Sequence, residues 1–241
     1  MAVNLNIYNE TKELINLDSL KEKGIIRIVA KQMTPAKVPM LDMQLECGVM
    51  FDSQHVCWVD VPVIKKLGVS AEDVLKICMK SMQENYPVEL RRTSLPGISK
   101  NCLLVSNTEY IYGSTALLYK DVSKWAAEIM GDDFIFSFPS VHEALLVPAS
   151  DMQGVEKRAE LEKAMMNCGI RLEPKDRITS LAYKFIASEN TIYSESRPNS
   201  LKSFSIDSIY SGILPEKEVS LGTDKVKQFE NHIKRDFQMQ L

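Results

Sequence analysis

The stretch on either side of Pro139–Ser140 constrains the fold most. Asp133 to Phe138 places phenylalanines at every second position, and Glu143 to Val147 returns as a short apolar run. A period of two flanking a turn predicts two antiparallel strands. A lone hairpin is marginal in water, so the rest of the chain has to supply strands and helices that cover it.

Those partners are legible. Gly24 punctuates before a strand over 25–30. Leu41, Met43, Leu45, Cys47 and Val49 alternate as a strand facing a core, and 55–59 returns beside it as a hairpin. Ser70 with Asp73 has capping-box spacing and opens a helix over 71–85, which Pro87 ends. Cys102 to Ser106 reads as a short buried strand. Gly113 to Tyr119 reads as a helical turn. A helix over 122–130 follows, with Asp121 as its cap, Trp125, Ala126 and Ile129 on its buried face and Gly131 at its end. A further helix over 155–167, stopped by Gly169, precedes strands within 178–187 and 191–194. The sum is an α+β fold, with mixed or antiparallel sheets packed by helices, plus a C-terminal amphipathic helix.

Three divisions follow. Residues 1–23 form a polar lead-in with Leu14, Leu17 and Leu20 three apart. Residues 24–196 form the α+β core, in halves 24–90 and 101–196 separated by an exposed loop around Pro96–Gly97. Residues 197–241 form an extension, serine-rich at first, then a helix over 224–237 with Val226, Phe229, Ile233 and Phe237 on one stripe. With 45% hydrophobic and 25% charged residues there is enough apolar material for a core without cross-links.

A net charge of −3 argues against a nucleic-acid binder, which needs a basic excess. The five cysteines contain no CxxC pair and most have apolar neighbours, as expected of buried thiols in a reducing, cytoplasmic setting. No stretch approaches the roughly 18 consecutive apolar residues of a membrane span, so no membrane partner is expected.

Three stretches read together carry a resemblance. They are 105–119, containing Tyr110-Ile111-Tyr112-Gly113; Gly131-Asp132-Asp133-Phe134; and 138–148, containing Pro139-Ser140-Val141-His142-Glu143. They resemble a bacterial family of unknown function in which a Tyr-x-x-Gly segment precedes a Pro-Ser-x-His-Glu hairpin. Val38-Pro39-Met40-Leu41-Asp42 and Ala182-Tyr183-Lys184-Phe185 are similar to further stretches of that family. The resemblance spans roughly 24–195 and implies a fold boundary and no reaction. Members of the family carry a further N-terminal region not seen here, and the stretch after Arg197 has no counterpart in them.

Among chemistry-bearing residues, His142-Glu143 is the sharpest. As an enzyme, His142 would be a general base oriented by Glu143 or Asp133; as a structural residue, it closes the turn between two strands. With no partner at a known catalytic spacing, the structural reading is favoured. His55 and Cys57 share a strand face, but a cysteine there is more often packed. HExxH and paired-cysteine spacings are absent, so neither a metal nor a cofactor is expected. Gly113-Ser114-Thr115 lacks the lysine and the glycine spacing of a phosphate loop. Beside it, Tyr110 and Tyr112 either line a groove or occupy a half-buried strand. Arg91 and Arg92, near Lys100, form a local basic cluster, either solvated or in contact with an anion.

The leading reading is a non-catalytic interaction or regulatory protein. Its binding residues are Tyr110, Tyr112, Arg91, Arg92, Phe229 and Phe237, and it meets a protein partner or a second copy through the C-terminal helix. The alternative is an enzyme of unrecognised type using His142 with a nearby carboxylate or thiol. An enzyme calls for a concave pocket in which His142 meets a second polar group.

Overall fold

The computed structural model describes residues 12–30, 36–52, 55–173, 176–179, 181–194 and 202–211. The predicted C-terminal helix, with Phe229 and Phe237, lies outside the described residues.

The first sheet is built from β1 (Gly24–Ala30), β2 (Val38–Met40), β3 (Met43–Met50) and β4 (Val56–Trp58), with β3 paired antiparallel to the other three. Just ahead of the alternating run, Val38–Met40 contributes the short strand β2. Alternation along β3 is real but incomplete as a description, because its polar positions are buried too. Gln44 and Glu46 face away from the apolar side, and Glu46 is the direct cross-strand partner of Arg27.

Three helices pack with this sheet. In α1 (Leu17–Lys23), Asn16 and Ser19 form a reciprocal capping box. Leu20 of this helix and Ile15 just before it are fully buried in the main core, while Leu14 is exposed. The described part of the lead-in is thus packed into the body through Ile15 and Leu20. A short helix that hydrophobic periodicity does not reveal, α2 (Val61–Leu67), is specified at its ends. The Asp60 carboxylate accepts from the Val63 amide at 3.1 Å, Pro62 sits in the first turn, and Gly68 closes it at φ 67°. In α3 (Ala71–Asn85) the Ser70–Asp73 capping box is present, and Val74, Leu75, Cys78, Met79 and Met82 make a buried stripe.

Among the described residues the second sheet has seven strands, all antiparallel, in the order β11 (Lys202–Ser205), β10 (Thr191–Ser194), β9 (Tyr183–Ile186), β7 (Phe134–Ser140), β8 (Glu143–Pro148), β6 (Ser99–Asn107) and β5 (Val88–Leu95). Residues 91–100 are not a loop dividing two halves. β5 (Val88–Leu95) and β6 (Ser99–Asn107) form a hairpin whose turn holds Pro96–Gly97, and Arg91 and Arg92 stand on a strand. The expected hairpin is present as β7 (Phe134–Ser140) and β8 (Glu143–Pro148), joined through Val141–His142.

Both faces of this sheet are covered. Phe134, Phe136, Ala144, Leu146 and Leu103 enter the main core shared with the first sheet. Ile135, Leu145, Val147 and Cys102 face a smaller cluster containing Leu161 and Met165 of α5 (Val155–Ile170). Each fully buried phenylalanine contributes roughly 1.5–3 kcal/mol. Helix α5 runs through Gly169 to Ile170 instead of stopping before it.

Between β6 and β7 lie a 3-10 turn over Gly113–Leu118 and α4 (Val122–Met130). Asp121 stands at the head of α4 with φ 66° and makes no side-chain cap, contrary to expectation. The phase of α4 is also shifted. Val122, Ser123, Ala126 and Ala127 are buried, whereas Trp125 and Ile129, predicted inside, are 48% and 43% exposed. The 3-10 turn brings small residues close to the sheet, so the small-residue stripe packs and the larger pair is left outside.

The second sheet continues past 196. After β9 (Tyr183–Ile186) and β10 (Thr191–Ser194), β11 (Lys202–Ser205) adds an outer strand, and α6 (Asp207–Ser211) buries Ile209. A stretch read as a serine-rich extension therefore supplies Phe204, Ile206 and Ile209 to the main core. No helix among the described residues is long and apolar enough to cross a membrane.

Candidate functional site

Tyr110 and Tyr112 do not lie on a strand. They follow β6 in a loop and adopt left-handed backbone at φ 56° and 47°. Such conformations are unfavourable for bulky L-residues, so something must hold them. Asn107, fully buried, does so by bracketing the loop: its Nδ2 donates to the Ile111 carbonyl at 2.7 Å and its Oδ1 accepts from the Ile111 amide at 3.0 Å. Gly113 then lets the chain pass close to its neighbours. A Cβ there would collide with Ser106 Oγ and lie 2.5 Å from the His142 carbonyl oxygen and 2.8 Å from the Asn107 nitrogen.

His142 is the second support. Its Nδ1 lies 2.6 Å from the carbonyl oxygen of Tyr110. A carbonyl only accepts, so this nitrogen carries the proton. Its ring stacks on Tyr112, with centroids 6.0 Å apart and planes at 14°. Nε2 faces Asp176 Oδ1 at 3.9 Å.

The stack extends onto the first sheet. Tyr112 meets Trp58 edge-on at 5.4 Å, and the Arg27 guanidinium lies 3.9 Å from the centre of the Trp58 ring. Arg27 is held by Glu46, at 2.7 Å through Nε and 2.6 Å through Nη2, and Lys37 reaches the other Glu46 oxygen at 3.1 Å. A continuous line of contacts, Glu46–Arg27–Trp58–Tyr112–His142–Asp176, therefore joins the two sheets.

Tyr110 is 41% exposed, with the Arg91 guanidinium 5.1 Å from its ring. A hydrogen bond to Glu89 pushes its phenol pKa up, with smaller contributions from burial and from the neighbouring carboxylates. Arg91 also bonds Glu143 at 2.8 Å. Arg92 does not join it. Neighbouring residues on a strand point to opposite faces, so the basic cluster read from sequence is split, with Arg91 on the Glu143 side and Arg92 on the other.

The carboxylates proposed for His142 are engaged elsewhere. Glu143 pairs with Arg91, and Asp133 accepts from the Ala187 amide at 2.9 Å. His55 is bonded to Asp52 at 2.8 Å, and Cys57 is buried, with its thiol pKa raised mainly by that burial. A shallow depression of about 420 Å³ lined by Lys12, Glu13, Pro62, Val63 and Lys66 does not include His142. Among the described residues, no three His, Cys, Asp or Glu side chains converge as a metal site would require. Trp58, Arg27 and Asp176 were missed from sequence. The available signal was a tryptophan at the end of a short returning strand, an aromatic placed where the chain emerges from the core.

A family model, the family of unknown function DUF5688, matches residues 62–186, slightly more than half of the chain. The chain belongs to this family. No curated protein and no solved structure matches it. The DUF5688 match opens in the first turn of α2 and closes at the end of β9. It contains Tyr110, Tyr112, His142 and Asp176, while Arg27, Trp58 and the Val38–Asp42 stretch precede it.

Proposed function

We propose that this chain is a non-catalytic binding protein that engages a protein partner through the face presenting Tyr110, Tyr112 and Arg91. The observation that carries the reading is the pair of tyrosines held at positive φ by a buried asparagine and a histidine. Two left-handed non-glycine residues cost about 1–3 kcal/mol each, and such strain persists where a site needs a fixed shape. Tyrosine, tryptophan and arginine dominate binding energy at protein interfaces, and pre-organisation removes the ordering penalty of association. Four buried free thiols among the described residues support a reducing, cytoplasmic setting, and the motif resemblance supports a bacterial source.

Tyr110→Ala tests the reading. Tyr110 is exposed, so the substitution should leave thermal stability close to that of the parent. A hot-spot tyrosine should cost at least about 2 kcal/mol of affinity, roughly thirtyfold. Partner capture from the native cell, quantified for the full chain, for Tyr110→Ala and for Arg91→Ala, should fall with both variants. Capture unaffected by either sinks the proposal.

The competing reading, an enzyme, draws on one observation: the Nε2 of half-exposed His142 faces Asp176 at 3.9 Å. It requires that His142→Gln abolish a measured turnover without altering partner capture.

A further inference from the structure

Six large apolar residues are exposed among those described, and three of them, Trp125, Ile129 and Tyr210, belong to α4 and α6. Trp125 and Ile129 are four apart and share one side of α4. Tyr210 stands at the head of that helix. Its hydroxyl donates to the Leu118 carbonyl at 3.0 Å. Helical side chains lean toward the N-terminus, so Trp125 leans toward the end of α4 that follows Leu118, whose carbonyl the Tyr210 hydroxyl reaches. Three of the six exposed residues thus belong to α4 and to α6, the element on which the described chain ends at Ser211.

Thirty residues follow, 212–241, with four apolar side chains at helical spacing: Val226, Phe229, Ile233 and Phe237. We propose that residues 224–237 dock as a helix on the Trp125–Ile129 ridge of the same chain. A coil connecting Ser211 to Val226 would have a root-mean-square reach of roughly 20 Å, and α4 is about 13 Å long. A tether of this length holds the stripe at an effective concentration of order millimolar. A second copy at micromolar concentration competes poorly with that. An isolated helix of this length is marginal in water, so burial on the ridge supplies its order. The Tyr110–Tyr112 face takes no part in this contact.

The chain contains two tryptophans, so Trp58→Phe leaves Trp125 as the only indole. In that full-length background, Trp125 should be protected from acrylamide quenching. Phe229→Ser with Phe237→Ser should raise quenching severalfold and shift emission to the red at every protein concentration. Ile129→Ser alters the other side of the contact at an exposed position, so folding is not at issue. It should produce the same rise, and adding it to the tail substitutions should do nothing further. The proposal is overturned if neither change alters quenching, if the tail substitutions act but Ile129→Ser does not, or if protection appears only as concentration rises and a dimer forms in sedimentation.

Discussion

Replacing Gly113 by alanine tests the geometry on which the tyrosine loop depends. Gly113 does not have a positive φ, so the constraint on it is one of space alone. The new methyl would overlap Ser106 Oγ and press on the His142 carbonyl and the Asn107 amide, two of them backbone atoms of buried or half-buried elements. It would also part Ser106 Oγ from the His142 carbonyl, to which it donates at 2.8 Å. Overpacking costs about 1–3 kcal/mol and a lost hydrogen bond about 1 kcal/mol, giving about 2–4 kcal/mol. At about 2–4 °C per kcal/mol for a chain of this size, the melting temperature should fall by roughly 4–16 °C. Gly97→Ala is the control. Gly97 has φ 82° and no atom within 4 Å of the point where a Cβ would stand, so its cost is backbone strain alone, about 1–2 kcal/mol. Calorimetry gives the stability, and the ring-proton resonances of His142, shifted by the stacked Tyr112, report the loop. Gly113→Ala should move those resonances and Gly97→Ala should leave them. A Gly113→Ala protein melting within about 2 °C of the parent, with His142 unmoved, refutes the close approach.

Two further outcomes are expected. Glu46→Gln leaves Arg27 and Lys37 without their shared carboxylate at a largely buried position, and should cost about 3–5 kcal/mol in urea unfolding; a loss below about 1 kcal/mol would mean the cluster is effectively solvated. Asp73 accepts from the Ser70 hydroxyl and amide, which lower its pKa from 3.8, so its stabilising effect is present above that unfolded value and is lost as pH falls through the lower folded one. The stability gap between the parent and Asp73→Asn should accordingly be open at neutral pH and close on acidification, and a gap independent of pH refutes the assignment.

Most of the sheet and helix pattern was legible because local chemistry and tertiary packing agree. The capping box at Ser70, the phenylalanine alternation around Pro139 and the run from Leu41 to Val49 each carry their own period or cap. The readings that failed are those where position in the fold decides. Residues 91–100 look like loop because an outer strand needs few apolar residues, and Val88–Leu95 has one pairing neighbour among the described strands. Trp125 looks like core because tryptophan is usually buried on average, yet the phase of a nine-residue helix is set by what the preceding 3-10 turn allows to approach. Of the candidate face, Tyr110, Tyr112, Arg91 and His142 were visible as residue types, but a positive φ has no signature in a tyrosine. Arg27, Trp58 and Asp176 stand far apart along the chain, and only the docking of the two sheets makes them one line.

The order of the second sheet carries a consequence for how the molecule avoids its own kind. Among the described strands β5 pairs with β6 alone, so no described strand takes up the hydrogen-bonding groups on its other side, the arrangement in which an added extended segment can pair. That strand reads Val88-Glu89-Leu90-Arg91-Arg92-Thr93-Ser94-Leu95, with both arginines exposed. A second β5 laid antiparallel against it would bring arginines into close opposition, and like charges facing one another across strands are repulsive. Arg92, which takes no part in the tyrosine face, adds its charge to that repulsion along the outer strand.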